Sequence, residues 1–277
     1  MYQKPTVPRS IGGVLDDTLQ LYKFSLPSTW LPSLLVSLMT AAVGYVVLSA
    51  IPLTPATLGP AELLARYQGM FRAFGLVYLV ATVVSLVFYG MMTSIVAAVS
   101  RGERPTFGAS LMIGLRRAPA LFVASVVFCI SIVVGFILLV IPGFYVWNRL
   151  ELYLVPLVAE SKGPFESLGT SWRLVGGNWW RTATVLFVMF VILIVLEGLL
   201  STLVISIVGF GGLTSAAAAN PVQALARVQL VTMLVGALVR IFTVPLIFAA
   251  LVALYQDLQL RKGGGDLEAR LGALPKA

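Results

Sequence analysis

The chain contains no histidine, one cysteine and very few charges. Without histidine it lacks the commonest proton shuttle and the commonest transition-metal ligand. A single cysteine, Cys129, excludes an intrachain disulfide, and its place in an apolar run fits a small packing residue rather than a reactive thiol. Charged residues make up 11% of the 277 positions, against about a quarter in an ordinary soluble domain. There is too little polar surface to cover a water-soluble core of this size. No HExxH motif, Cys/His cluster or phosphate-cradling glycine loop occurs, and Gly211-Gly212 and Gly263 to Gly265 lack the strand-to-helix setting such a loop needs. No catalysis, cofactor or metal is therefore expected. The first 29 residues carry Lys4, Arg9, Asp16, Asp17 and Lys23, which argues against a cleavable signal.

What is abundant is apolar: 59% of the residues. The reading is an all-α polytopic membrane protein with a single membrane domain over 1–260 and a flexible tail at 261–277. A crossing needs about 20 apolar residues, and six runs qualify: 31–52, 73–99, 119–141, 144–159, 182–207 and 228–255. The fourth is short and holds Asn148, Arg149 and Glu151; only Ile141-Pro142-Gly143 separates it from the third. The segments 53–72 and 208–227 are expected outside the cytoplasm, the second as a mobile Gly/Ala/Ser-rich loop.

Basic residues segregate. The N-terminus, the 100–117 and 160–181 loops and the tail carry Lys4, Arg9, Lys23, Arg101, Arg104, Arg116, Arg117, Lys162, Arg173, Arg181, Arg261, Lys262, Arg270 and Lys276; the other side carries Arg66, Arg72 and Arg227. Cytoplasmic loops are enriched in Lys and Arg, so both termini are expected in the cytoplasm of a bacterial inner-membrane protein. The net charge of +8 then reflects loops facing anionic lipid rather than nucleic acid.

The stretch "SWRLVGGNWWRT" (171–182) has an architectural reading. From Phe165, apolar residues at 165, 168, 172, 175 and 179 follow a helical spacing, with Glu166, Thr170 and Arg173 opposite, as in a helix lying along the interface. Gly176-Gly177 ends it, Asn178 caps the next helix, and Trp172, Arg173, Trp179, Trp180 and Arg181 are expected at the lipid headgroups, as is Trp30 before the first span. Weaker versions of this corner begin at Ser10, with a break at Pro27 and a cap at Ser28 or Thr29, and at Phe107, with Pro119 opening the third span. Three units, each a surface helix followed by two spans, are one reading of this pattern.

"GPFESLGTSWRLVGGNWWRT" (163–182), "IPGFYVWNRLELYLVPLVAE" (141–160) and "PLIFAALVALYQDLQLRKGGGDLE" (245–268) resemble the bacterial membrane domain fused to glycerophosphoryl diester phosphodiesterases and its stand-alone relatives. The resemblance implies a six-helix membrane module and a link to glycerophospholipid or polyglycerol-phosphate metabolism. The phosphodiesterase barrel is missing, so its chemistry does not carry over.

Four ionisable residues fall within the expected spans: Arg149, Glu151, Glu197 and Arg240. An ion at the helix centre costs about 2.5–3.5 kcal/mol on insertion scales, which makes function the default question. Glu197 and Arg240 both lie about 22 Å from the cytoplasmic face, so they can pair. Arg149 lies about 15 Å deep, near Asn148 and the Tyr145 hydroxyl. Two readings stand. In one, paired charges lock helix packing. In the other, Arg149, Asn148, Tyr145, Glu197 and Arg240 line a cavity for an anionic headgroup or solute. The function classes that follow are a lipid-handling, scaffold or regulatory membrane protein, or a small-solute transporter or channel. Membrane lipids are the expected partners, with room for a soluble or membrane protein partner. The oligomeric state is not legible in the sequence.

Overall fold

Long apolar runs in this chain form long helices because backbone groups have no other partner in hydrocarbon. The computed structural model describes residues 2–50, 59–219 and 221–272. Its elements are α1 (Ile11–Ala50), α2 (Pro60–Ser100), α3 (Phe107–Leu138), α4 (Val140–Leu150), a 3-10 turn (Glu151–Tyr153), α5 (Leu154–Ala159), α6 (Pro164–Val175), α7 (Trp179–Ala219) and α8 (Pro221–Gly272). No strand occurs among the described residues. Among the described residues five stretches are long and apolar enough to cross a membrane: Ile11–Val47, Ala61–Ser100, Phe107–Leu138, Trp179–Leu203 and Leu230–Gly263.

The run expected as a sixth span, 144–159, is not among these five. It is divided between α4, the 3-10 turn and α5. Together with the start of α4 it forms the return limb of a helical hairpin. Leu139 alone separates α3 from α4, in an extended conformation at φ −170° and ψ 157°. From there the limbs pair side by side. A Cβ added to Gly135 would lie 3.0 Å from Gly143 Cα. The Phe136 and Phe144 rings meet edge to face at 5.3 Å, and the Phe128 and Tyr153 rings lie tilted at 35° with centres 5.2 Å apart. At the open end Arg117 donates to the Ser161 carbonyl at 3.1 Å. The return limb is therefore antiparallel to α3 along its whole length. The tip is apolar and open, with Ile141 82% exposed.

Two expected breaks are absent. α1 runs unbroken through Pro27, and α3 through Pro119. A proline inside a helix removes one N–H bond and crowds the carbonyl four residues back. In α1 the neighbouring hydroxyls turn back onto the helix: Ser25 Oγ donates to the Tyr22 carbonyl at 3.3 Å and Thr29 Oγ1 to the Ser25 carbonyl at 3.0 Å. Thr29 thus bonds backwards instead of capping a new helix. The segments from Ser10 and Phe107 are first turns of α1 and α3, not separate surface helices; Ser10 Oγ accepts from the Gly13 N–H at 3.1 Å.

The third break is real. α6 ends at Val175, Gly176 donates to the Trp172 carbonyl at 3.2 Å, and Gly177 takes φ +82°, a left-handed value that costs glycine little. The buried face of α6 differs from the expected stripe. Ser167, Leu168, Thr170, Ser171 and Val175 point inward, while Phe165 and Trp172 are exposed. Small hydroxyl residues let α6 approach α4 closely, and Ser171 Oγ donates to the Arg149 carbonyl at 2.8 Å.

The chain divides into two units. The first comprises 1–30, 86–192 and 244–277; the second comprises 31–85 and 193–243. In the first, the C-terminal half of α8 is the core: Phe248, Ala249, Leu251, Val252, Leu254, Tyr255 and Leu258 pack with Val14, Leu21, Met92, Val96, Leu152 and Val185. In the second, Ser33 Oγ donates to the Arg240 carbonyl at 3.0 Å, and Gly44 gives room to the Met233 methyl. Of the segments expected outside the cytoplasm, 51–58 and Asn220 lie outside the described residues, as do the last five residues of the expected loose tail; the backbone of 208–219 continues α7.

Candidate functional site

Arg149 projects from the last turn of α4 into an aromatic enclosure. Its guanidinium carbon lies 4.3 Å from the centre of the Trp172 ring and 5.3 Å from that of Tyr145. Arg149 Nη1 donates to the Tyr145 hydroxyl at 2.9 Å. That pair is built by sequence spacing alone, since residues four apart share a helix face. Tyr145 in turn stacks on Trp179 at 5.8 Å and meets Trp172 edge to face at 6.0 Å. A Cβ on Gly176 would collide with the Arg149 guanidinium. Gly176 therefore serves the site as well as the turn.

Two polar atoms in this cluster, Arg149 Nε and Trp179 Nε1, are buried without a hydrogen-bond partner, as is Oδ1 of the preceding residue Asn148. Leaving such an atom unpaired costs about 1–3 kcal/mol, more for a charged group. Of these three residues, Arg149 also lines the neighbouring cavity.

Beside the cluster lies a cavity of about 660 Å³ lined by Arg149, Lys162, Arg173 and Lys262, with Thr170, Trp172, Tyr255 and Gln259. Among the described residues no carboxylate lines it. The nearest counter-charge is Glu160, whose carboxylate pairs with Lys162 at 2.8 Å and accepts from the Tyr255 hydroxyl and Gln259 Nε2, both at 2.6 Å. Burial pushes the Glu160 carboxyl up, but the hydrogen bonds from Lys162, Tyr255 and Gln259 outweigh it, so the group sits below its ordinary value. Lys162 Nζ also donates to Thr170 at 3.2 Å. Arg149, Arg173 and Lys262 remain without a carboxylate partner among the described residues.

The sequence-predicted ligand residues fall into two groups. Tyr145 and Arg149 belong to this cluster; Asn148 lies beside Arg149 on α4 in the same unit, and among the described residues no contact joins its side chain to the cluster. Glu197 and Arg240 belong to the second unit, where they pair at 3.8 Å with side chains 42% and 47% exposed. Of the residues expected at lipid headgroups, Trp180 is the most open at 79%, Trp30 and Arg173 are exposed, and Trp172 and Trp179 pack on the Arg149 cluster. Arg181 turns inward instead, to the buried Asp257 carboxylate at 3.0 Å. Its planar fork satisfies an internal carboxylate there, so it is not free to reach lipid phosphate.

Sequence reasoning missed Lys162, Lys262, Thr170 and Gln259 as parts of one cavity. Lys162 and Lys262 are a hundred positions apart, and only the docking of α6 beside α8 joins them. The single available signal was the shared sign of their loops.

Comparison with known proteins supports the membrane reading. Residues 31–258 match a family model described as "Domain of unknown function (DUF7847)". The chain belongs to this family. It is also 25% identical over 211 residues to the UPF0259 membrane protein plu2479 of Photorhabdus laumondii, covering 67% of the chain and 82% of that protein. Both names denote uncharacterised proteins, and neither refers to the phosphodiesterase-linked domain. No solved structure matches. With five apolar helices of spanning length and a relative named as a membrane protein, the chain is a multi-pass integral membrane protein.

Proposed function

We propose that the protein is a non-catalytic component of the bacterial cytoplasmic membrane that holds an anionic amphiphile, with the Arg149 cavity receiving its headgroup. The observation that carries this is a cavity lined by four cations, Arg149, Lys162, Arg173 and Lys262, and by no carboxylate among the described residues, with Arg149 Nε buried and unpartnered at its wall. Guanidinium groups suit phosphate and carboxylate through paired, parallel hydrogen bonds. The aromatic wall of Tyr145, Trp172 and Trp179 suits a site at the level where headgroup meets hydrocarbon. The resemblance of 141–182 to a domain linked with glycerophosphodiester chemistry agrees with a phosphoryl headgroup.

This reading has six crossings and cytoplasmic termini. The segregated basic residues support that orientation, and the α3 hairpin supplies the return crossing. The twenty residues 140–159 reach about 30 Å as helix, the thickness of the hydrocarbon. Cysteines placed at positions 104 and 173, in a chain lacking Cys129, should label from the same side of the membrane.

The direct test is lipid binding by the detergent-purified chain. Phosphatidylglycerol should change the tryptophan fluorescence of the wild type and not that of Arg149→Ala. Equal binding by a variant of unchanged melting temperature would remove the headgroup reading. The half-exposed Glu197–Arg240 pair supports a second reading, solute transport, for which flux into liposomes lost in Arg240→Gln is the corresponding result.

A further inference from the structure

A second cavity, of about 490 Å³, lies in the first unit. It is walled by the end of α2, the 101–106 loop, the first turns of α3 and the turn at Ser161. Ser161 lines this cavity, and its neighbour Lys162 lines the one beside Arg149.

The charge of its lining is one-sided. Among the described residues, Arg101, Arg104, Arg116 and Arg117 face a single carboxylate, Glu103. Arg101 is taken up by that carboxylate, donating from Nε and Nη2 to its two oxygens at 2.7 and 2.9 Å. Arg117 gives one N–H to the Ser161 carbonyl at 3.1 Å, which fixes the side chain at the wall and leaves its other donors over. Arg104 and Arg116 have no hydrogen bond or ion pair among the described residues. Like charges gathered in one hollow repel, and a bound anion relieves that cost.

A second observation is independent of the arginines. Ser110 also lines the cavity and is 4% exposed. Its hydroxyl makes no hydrogen bond to the described residues. Thr106 in the wall caps α3 by accepting from the Ala109 N–H at 3.4 Å, so the positive end of that helix dipole lies at the same place.

We infer that this cavity is a separate anion site, built for a terminal phosphate or diphosphate and bound by Arg104, Arg116 and Arg117 with Ser110 as a neutral donor. Once Arg101 and Glu103 cancel, three positive charges remain. A phosphodiester or carboxylate brings one negative charge, whereas a terminal phosphate carries about 1.5–2 at neutral pH. The same chemistry occurs on a lipid such as phosphatidic acid and on a soluble phosphorylated molecule. The inference does not depend on the Arg149 reading, since no cationic side chain is shared between the two cavities.

The test uses the full chain in neutral detergent with inorganic pyrophosphate, and in phosphatidylcholine nanodiscs doped with phosphatidic acid or with phosphatidylglycerol. Replacing Arg104 and Arg116 by Gln should weaken binding of pyrophosphate or phosphatidic acid about tenfold or more. Both side chains are exposed, so the fold should survive. Lys4→Gln with Lys23→Gln, an equal loss of charge at exposed positions, should have little effect. Ser110→Ala, which adds no volume, should weaken binding without moving the melting temperature. Binding of pyrophosphate alone supports the site with a soluble ligand, and binding of phosphatidic acid alone supports it with a lipid. Undiminished binding in the double arginine variant, equal preference for phosphatidylglycerol, or no binding of any probe would overturn it.

Discussion

Asp257 on α8 and Arg181 on α7 meet at 3.0 Å, with the carboxylate 2% exposed. The same oxygen accepts from Arg261 Nε at 3.0 Å, and its partner oxygen accepts from the Arg9 N–H at 2.8 Å. The Arg9 carbonyl accepts from both guanidinium groups in return. One buried carboxylate thus joins α7, α8 and the segment preceding α1. Asp257→Asn would leave two guanidinium groups without their anion. Breaking a buried pair in this way costs about 3–5 kcal/mol, to be read as a fall in melting temperature in detergent. Arg261→Gln, at a more exposed partner, should cost clearly less. Equal melting temperatures for Asp257→Asn and wild type would contradict this account.

The two glycines of the α6–α7 corner should fail differently. Gly177→Ala forces a side chain into a left-handed residue, at about 1–2 kcal/mol, with the Arg149 cluster intact. Gly176→Ala has an ordinary φ but displaces the Arg149 guanidinium from Trp172. Its signature is altered tryptophan fluorescence and lost headgroup binding. If both variants behave alike, Gly176 has no role beyond the turn.

Glu160 makes the first unit sensitive to acid. Its carboxyl sits lower in the folded chain than its ordinary value, so its contribution is fully present above the unfolded value of about 4.3 and is lost as pH falls through the folded one. The difference in melting temperature between wild type and Glu160→Gln should be constant near neutrality and shrink through the acidic range. A difference that grows on acidification would reverse the sign.

Glu197 and Arg240 provide a test of pairing in the second unit. Each single neutralisation, Glu197→Gln or Arg240→Gln, should destabilise more than the double substitution, because it strands one charge. Water-exposed pairs couple by about 0.2–1 kcal/mol; coupling above that range in nanodiscs would mark a lipid-facing pair. Strict additivity would mean that the 3.8 Å approach carries no energy.

The membrane class was readable from composition, and the pair of Tyr145 with Arg149 from spacing, because both signals are local. Proline was the poorer guide to helix ends. Pro27 and Pro119 lie within continuous helices, whereas Gly177 ends one by adopting a backbone that most residues avoid. The inward turn of Arg181 was invisible because Asp257 lies far along the chain. Trp172 and Trp179 read as lipid anchors because a tryptophan beside an arginine looks alike at an interface and in a cation–π enclosure. Ser167 and Ser171 were placed on no face by hydropathy, although close helix approach selects small residues rather than greasy ones.

The helical hairpin behaves as a zip closed from Leu139. Its teeth are Gly135 with Gly143, Phe136 with Phe144, Phe128 with Tyr153, and Arg117 with Ser161. One residue inserted in either limb would slide every later tooth by a third of a turn and set bulk against bulk. Relatives should therefore gain or lose residues in the two limbs together or not at all, and the facing positions should exchange size in compensating pairs.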